Sequence, residues 1–462
     1  MATVATRTGR RPVRPPDRKT TTSRPAPAPR PWVLRTVTVA LGVGFGATLA
    51  LGVTAESWSQ LHAAGGVAMF LGSMTGLAGT YLALVMVLLV SRVPVVERVL
   101  GQDRLVQAHR RLAPWPLSLI AAHVVLLTIG YAQAAHTGAW HEAGVLVGTF
   151  PDMLTATIGF ALMMAIGLVS IRAIRQRIRR ERWWAFHLCM YLALALSFAH
   201  VIALGPSFVN HPLTQLLWGA LWLATAGSVL AYRIGLPVAR TLRHRLHVVE
   251  VRHESADVVS IVLKGRRLDR LSVSGGQFFE WRFLAPGMWW QAHPFSISAV
   301  PRPPYLRLTV RGIGDFSSAL RHLAPGTKVA IEGPYGTFTR HAQSRTKAVL
   351  IAGGIGVTAV RSLLEDLPRN SDPVVVLRAS DADGLVLSEE VTELTRQRKG
   401  RVHELVGPRS MVSLDGLMDL VPDLMQRDVF IAGSASFVHR VVAVASRLGV
   451  ADSALHFEVY EL

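Results

Sequence analysis

The run WWAFHLCMYLALALSFAH, Trp183–His200, decides the reading of this chain. It is apolar enough for a lipid bilayer, yet it carries His187 near its start and His200 at its end. An imidazole inside hydrocarbon is costly unless something engages it. The two lie 13 residues apart, roughly 20 Å along a helix and most of the hydrocarbon thickness. An earlier apolar run, Leu112–Ala135, holds His123, and His109 precedes that run by three residues.

Six uncharged runs approach the length, about 20 residues, that spans a bilayer. They are Thr36–Ala55, Gly66–Val90, Leu112–Ala135, Met153–Ile171, Trp183–Phe208 and Leu213–Tyr232. The loops alternate in charge. SRVPVVERVLGQDRLVQAHRR (91–111) carries five Arg and RAIRQRIRRER (172–182) six, while segments 55–65, 136–152 and 205–212 carry neither Lys nor Arg. Positively charged loops stay in the cytoplasm, so both termini are expected there, in a multi-pass protein of the cell membrane.

The chain has 462 residues, is 50% hydrophobic and bears a formal charge of +19. Residues 1–35 hold eight Arg and one Lys against one Asp, among many Pro, and read as a disordered basic cytoplasmic tail. Beside membrane spans such a tail meets lipid or sets topology, and no nucleic-acid partner is expected. No small-residue cleavage site follows the first apolar run, so no removed signal peptide is read. Cys189 is the one cysteine, which excludes an internal disulfide, a Cys-held iron–sulfur cluster and covalent haem attachment. It is read as packing.

An isolated intramembrane histidine is more often a satisfied core residue than a ligand. Here there are two pairs, matched in depth on helices that both enter from the cytoplasm. His109 with His187 makes an inner site, and His123 with His200 an outer one. Neutral imidazole is a good axial ligand for haem iron, and without covalent attachment the haems are b-type. Two features strain this picture. Thirteen residues leave His187 and His200 about 140° apart around a straight helix. Pro114 and Pro116 also fall between His109 and His123, where proline breaks or kinks a helix, which makes His109 the weakest of the four assignments.

After Arg243 the texture changes. Short β-rich runs, VVSIVLKG, GGQFFEWRF and YLRLTVRG, suggest an antiparallel barrel or sandwich to about residue 342. From Lys347 apolar runs alternate with helical stretches, the mark of a parallel α/β sheet. HPFSIS (His293–Ser298) offers an aromatic for a flavin ring, Phe295, and a hydroxyl near its reactive nitrogen, Ser296. VRGIGDFSS adds Arg311 and free N–H groups at a helix start, which suit a phosphate, with Ser317 or Ser318 as cap. AVLIAGGIGVTAVRSLLEDL is a buried strand, a Gly-rich turn and a helix, a dinucleotide site after a flavin-type barrel, with Thr358 as helix cap.

In these motifs the chain from about residue 36 onward resembles the ferric reductase / NADPH oxidase superfamily. The match rests on the four histidines, HPFSIS, RGIGDFS, EGPYG (Glu332–Gly336), GGIGVT and the ending HFEVYEL. It implies a multi-domain membrane protein. An all-α six-helix transmembrane di-haem domain (36–234) follows the tail, then an antiparallel β-barrel FAD-binding domain (243–342) and a parallel α/β NAD(P)-binding domain (345–462). By carry-over, His293, Pro294, Phe295, Ser296, Arg311, Gly314, Asp315, Phe316 and Ser317 hold FAD. Gly353, Gly354, Gly356, Val357 and Thr358, with Gly433 and Ser434, hold NADPH or NADH. Arg378 meets the adenosine ribose or its 2′-phosphate. Ser296 and Tyr460 act at the flavin, and His109, His123, His187 and His200 ligate two haem b irons.

Three departures from the family pattern stand out. The Pro that usually closes GGIGVTP is Ala359. The usual late CGP is Ala432-Gly433-Ser434, which removes a thiol. The terminal aromatic is matched only by Tyr460. The resemblance implies electrons passing from cytoplasmic NAD(P)H through FAD and two haems to an external acceptor. NADPH is favoured, because Arg378 and Arg409 suit a 2′-phosphate, although Asp381 and Asp383 suit a free ribose. Superoxide-making members typically carry another histidine four residues past the outer histidine of the third helix, where this chain has Leu127. The outer segments offer His62, His136, His141, His211, Glu56, Glu142 and Asp152 instead, so a ferric complex is favoured over dioxygen. A donor to quinone or to a partner protein stays open, as does a non-enzymatic sensor or transporter.

Overall fold

The computed structural model describes residues 31–55, 57–407 and 414–460. Residues 1–30 of the expected tail, Glu56 and Arg409 lie outside the described residues, while Pro31–Arg35 open the first helix. The helical part runs α1 (Pro31–Thr54), α2 (Trp58–His62), α3 (Gly66–Val90), α4 (Pro94–Leu100), α5 (Gln102–Leu112), α6 (Pro114–Ala135), α7 (Ala139–Thr149), α8 (Met153–Val169), α9 (Arg172–Arg175), α10 (Arg180–Leu204) and α11 (Pro212–Val229). A π-helical turn (Leu230–Gly235) then leads into α12 (Leu236–His244).

Among the described residues five helical stretches are long and apolar enough to cross a membrane; a sixth exists only if α7 and α8, bent by 119°, are taken together. The expected fourth span, Met153–Ile171, is thus one arm of a broken element. The segment between spans that precedes it is not all loop: Ala139–Thr149 folds as a second apolar helix, and Asp152 turns the chain at φ 59°.

The expected break between His109 and His123 does not occur. Helix α5 ends at Leu112 and α6 starts at Pro114, with only Ala113 between, itself in helical geometry. Proline lacks an N–H that a first helical turn leaves unpaired anyway, so Pro114 and Pro116 restart the helix rather than break it. Arg104–Ala135 therefore reads as one span of 32 residues.

Helix α6 lies along α3, and α10 along α8, whereas α6 and α10 do not pack closely against each other. Small residues explain the first contact. A Cβ on Gly65 would sit 2.0 Å from the Gly130 carbonyl, and one on Gly72 2.8 Å from Leu127.

Six antiparallel strands follow: β1 (Leu246–His253), β2 (Val258–Lys264), β3 (Phe278–Phe283), β4 (His293–Arg302), β5 (Tyr305–Arg311) and β6 (Lys328–Tyr335), with α13 (Asp315–Ala319) after β5. Their order is β1-β2-β5-β4-β3-β6. The sheet curls until β1 meets β6, over two residue pairs only, Leu246 with Val329 and His247 with Lys328. Alternating strand residues fill its inside. Phe279, Trp281 and Phe283 are fully buried there, each worth about 1.5–3 kcal/mol of burial.

The last part is a five-stranded parallel sheet in the order β11-β10-β7-β8-β9, built from β7 (Ala348–Gly353), β8 (Val374–Ala379), β9 (Arg401–Val406), β10 (Asp428–Ser434) and β11 (Leu455–Tyr460). Helices α14 (Val357–Asp366), α15 (Ser388–Arg396), α16 (Leu414–Leu420) and α17 (Ala435–Arg447) connect the strands. Both faces are covered, so β7, β8 and β10 read as continuous apolar runs.

Candidate functional site

The four histidines meet in the two pairs expected. His109 faces His187 with ring centroids 6.2 Å apart, and His123 faces His200 at 6.4 Å. A metal–imidazole bond is about 2.0–2.1 Å and a ring centroid lies about 1 Å further on, so two imidazoles on opposite sides of one ion sit about 6 Å apart. The spacing between the α5–α6 span and α10 is thus one ion wide at both depths. His109 Nδ1 donates to Met86 O (3.2 Å) and His123 Nδ1 to Gly72 O (2.8 Å), both on α3. A carbonyl only accepts, so this fixes the tautomer and leaves Nε2 of each free as a ligand. The Nδ1 atoms of His187 and His200 are buried without a hydrogen-bond partner.

His187 is oriented differently, by stacking on Trp183 at 5.0 Å and 22°. Trp183 in turn carries the Arg175 guanidinium 4.3 Å above its ring and donates its indole N–H to Ser170 Oγ at 3.2 Å. Gly76 is the close neighbour of His123: a Cβ there would stand 2.4 Å from Nδ1. Among the described residues no three of His, Cys, Asp and Glu gather as a metal cage. Two facing imidazoles with no further metal-ligating side chain gathered around them fit a haem, whose iron they would hold.

The outer residues do not assemble. His62 Nδ1 bonds Trp58 O (2.8 Å), Glu142 is buried and accepts from Thr137 (2.9 Å), and His136, His141 and His211 are exposed. Cys189 Sγ points to Ala185 O in its own helix, as packing requires.

On the curled sheet, β4 presents the flavin motif. His293 stacks on Phe316 (3.9 Å, 23°), and Phe295 lies nearly parallel to both rings. Trp281 Nε1 holds the Phe295 carbonyl at 2.8 Å. Buried Ser296 meets the Tyr460 hydroxyl at 3.0 Å, and Thr358 Oγ1 lies 3.4 Å from that same hydroxyl. Ser296, Tyr460 and Thr358 therefore come together although more than 160 residues separate the first two. Burial, helped by the Glu458 charge, pushes the Tyr460 phenol up to about 12.

The phosphate motif is more occupied than its sequence suggests. Ser317 Oγ accepts from Ile313 N and Gly314 N, both at 3.0 Å, and Arg311 Nε bonds Asp257 at 2.6 Å. Two N–H groups of the loop before α13 are thus taken by Ser317, and Arg311 shares itself with an acid. Pro294 and Asp315 are exposed beside them.

The dinucleotide motif folds as strand β7, a 3-10 turn (Gly354–Gly356) and α14. Two of its glycines are required by close approach. A Cβ on Gly353 would meet Phe437 at 2.6 Å, and one on Gly356 the Ala432 carbonyl at 2.2 Å. Gly354, at φ +55°, faces open space. Val357 is buried behind the turn. Thr358 Oγ1 donates to Ile355 O (3.0 Å) rather than capping α14. Gly433, next to Ser434 at the end of β10, also packs on Phe437. Arg378, next to last in β8, puts Nη2 on the Gly407 carbonyl, and Asp381 caps its own turn by accepting from Gly384 N at 2.9 Å.

Sequence reading missed the ion network that joins the two sheets. Arg307 on β5 binds Glu390 through two bonds of 2.8 Å, and Arg361 Nε reaches the same carboxylate at 2.8 Å. Glu365 accepts from Arg302, Arg361 and Val300 N. Burial alone would raise Glu390, but the two guanidiniums hold it at about 2.

Residues 75–198 match the family model of the ferric reductase like transmembrane component, and residues 243–339 that of an FAD-binding domain. The Bacillus subtilis flavohemoprotein is 24% identical over 232 residues, covering 46% of this chain and 58% of that protein. Dual oxidase 1 of Rattus norvegicus is 23% identical over 314 residues, 59% of this chain and 18% of the oxidase. The chain thus spans less than two thirds of these relatives. The FAD/NAD-binding domain of a nitric oxide dioxygenase from Vibrio cholerae is 23% identical with a TM-score of 0.41, covering 47% of this chain and 98% of that one.

The chain thus joins a ferric-reductase-like transmembrane component to an FAD-binding domain. The chain belongs to the ferric reductase / NADPH oxidase superfamily.

Proposed function

We propose that the protein carries electrons from cytoplasmic NAD(P)H across the cell membrane to an external ferric complex, with FAD and two b haems as resident cofactors. When bound, FAD takes the two electrons of a hydride and the haems take electrons one at a time, which is the conversion a one-electron acceptor needs. The observation that carries this reading is the pair of one-ion gaps, 6.2 and 6.4 Å, stacked along helices that otherwise stay apart. His109 and His187 would hold the inner haem, His123 and His200 the outer.

The chain's own residues do the rest. His293, Phe295 and Phe316 offer a stacked aromatic wall, and Ser296 a hydroxyl at the flavin. Tyr460 covers that position until a nicotinamide displaces it, and Thr358 ties it to the dinucleotide turn. Gly353, Gly354 and Gly356 let a pyrophosphate approach the α14 terminus. Arg378 supplies a cation for the adenosine end and favours NADPH.

For the acceptor, two features support a metal complex. No Lys or Arg stands in the outer segments to stabilise an oxygen anion, and Leu127 packs on Gly72 where a further histidine would stand. Purified protein in nanodiscs, given NADPH, should show a Soret shift on reduction and reduce ferric citrate faster than oxygen. Rapid reoxidation by air, with stoichiometric superoxide unaffected by added iron, reverses the order of acceptors. Absence of haem from the purified protein overturns the whole path.

A further inference from the structure

Glu280 on β3 and Glu332 on β6 stand directly opposite each other across the antiparallel ladder. Their side chains are 19% and 22% exposed, so water screens them little. Like charges facing each other across a ladder repel. Two arginines of the helical part answer this pair. Arg92 places Nη1 2.8 Å from Glu332 and Nη2 3.4 Å from Glu280, and Arg233 in the π-helical turn comes within 3.9 Å of Glu332. The Arg92 guanidinium also lies 4.6 Å over the Tyr335 ring, whose hydroxyl bonds Glu332 at 3.0 Å. One residue along, Arg240 of α12 donates to the Gly333 carbonyl. Three arginines from two separate helical segments thus converge on Glu332–Tyr335.

Arg92 is held for this contact. It follows α3 by two residues, with a left-handed backbone at φ 62° that a side-chain-bearing residue seldom adopts. Six residues earlier on the same chain, Met86 O fixes His109. The C-terminal end of α3 therefore grips the inner histidine from one side and the flavin-binding sheet from the other.

We propose that Arg92 is a positioning residue: by bridging the facing carboxylates Glu280 and Glu332 it clamps the flavin-binding sheet beneath the inner histidine pair and so sets the rate of electron entry into the membrane part. This rests on the electron path proposed above. NAD(P)H supplies two electrons and one proton as hydride; the electrons leave one at a time to two ferric centres, and the single proton goes to water. Arg92 takes no part in that chemistry and acts only on distance.

The test uses the full-length protein in nanodiscs with FAD and haem bound. In Arg92→Gln, stopped-flow mixing with NADPH should leave flavin bleaching within twofold of wild type and slow haem reduction at least tenfold, with haem and flavin content unchanged. Removing the repulsion should then help: Glu332→Gln slows haem reduction in wild type but recovers at least threefold of the loss in Arg92→Gln. Amide exchange, measured without NADPH, should rise in 278–283 and 328–335 of Arg92→Gln, while Arg92→Lys stays close to wild type. Unchanged exchange in those strands, or parallel slowing of flavin and haem, overturns the clamp. If wild-type haem is never reduced by NADPH, the electron path fails, and the exchange arm still decides the clamp.

Discussion

His123 donates its Nδ1 proton to the Gly72 carbonyl at 2.8 Å, so the outer histidine is aimed by a helix other than its own. Its orientation depends on how closely α3 can approach, and glycines on α3 set that distance.

Gly76→Ala should therefore cost the outer haem. The added Cβ would stand 2.4 Å from His123 Nδ1, which only displacement of the ring relieves. Pyridine haemochrome should fall from two haems per chain to about one, with flavin retained. Gly42→Ala, which adds a methyl to open space on α1, should keep both.

Tyr460→Phe keeps the ring over the site and removes the hydroxyl that meets Ser296 and Thr358. NADP+ should bind more tightly, because fewer bonds must break for the nicotinamide to enter. The variant also carries a pH signature. The phenol titrates near 12 when folded and near 10 when unfolded. Its stabilisation is full below about pH 10 and is lost as pH rises toward 12. Chemical denaturation should show wild type losing stability relative to the Phe variant over that window.

Glu390→Gln should loosen the dinucleotide-binding sheet from the flavin-binding one. Its carboxylate, held at about 2 by Arg307 and Arg361, is 38% exposed, so after solvent screening the loss is about 1 kcal/mol. A lowered folded pKa contributes stability above the unfolded value, near 4.5, and loses it as pH falls toward 2. The gap between wild type and variant should be widest at neutral pH and close in acid.

Arg378→Gln should lower kcat/KM for NADPH about 10–100-fold, the worth of one charge-assisted phosphate contact, and leave NADH within threefold. Equal losses with both would place Arg378 in the fold, where its bond to Gly407 O already puts one nitrogen.

The histidines were legible because a polar ring in an apolar run announces itself. The flavin and dinucleotide motifs were legible as strand–turn patterns. Pro114 and Pro116 misled: proline marks a break, but whether a new helix starts on the same axis depends on the packing of α6 along α3. Ser317 and Asp257 were invisible as competitors for the phosphate motif, because their positions follow from turn geometry and from a contact 54 residues away. Glu280 opposite Glu332 could not be read at all, since strand register is set by folding, and neither could Arg92, whose partners lie 188 and 240 residues on.

The contacts around the four histidines have a consequence for biogenesis. Helix α3 packs along α6 and α10 along α8, and a shared cluster of Val87, Met163, Ala193 and Leu194 ties the two pairs together. The bundle thus has apolar cohesion that does not pass through the imidazoles, so a chain stripped of its histidines should still insert and be recovered from the membrane fraction.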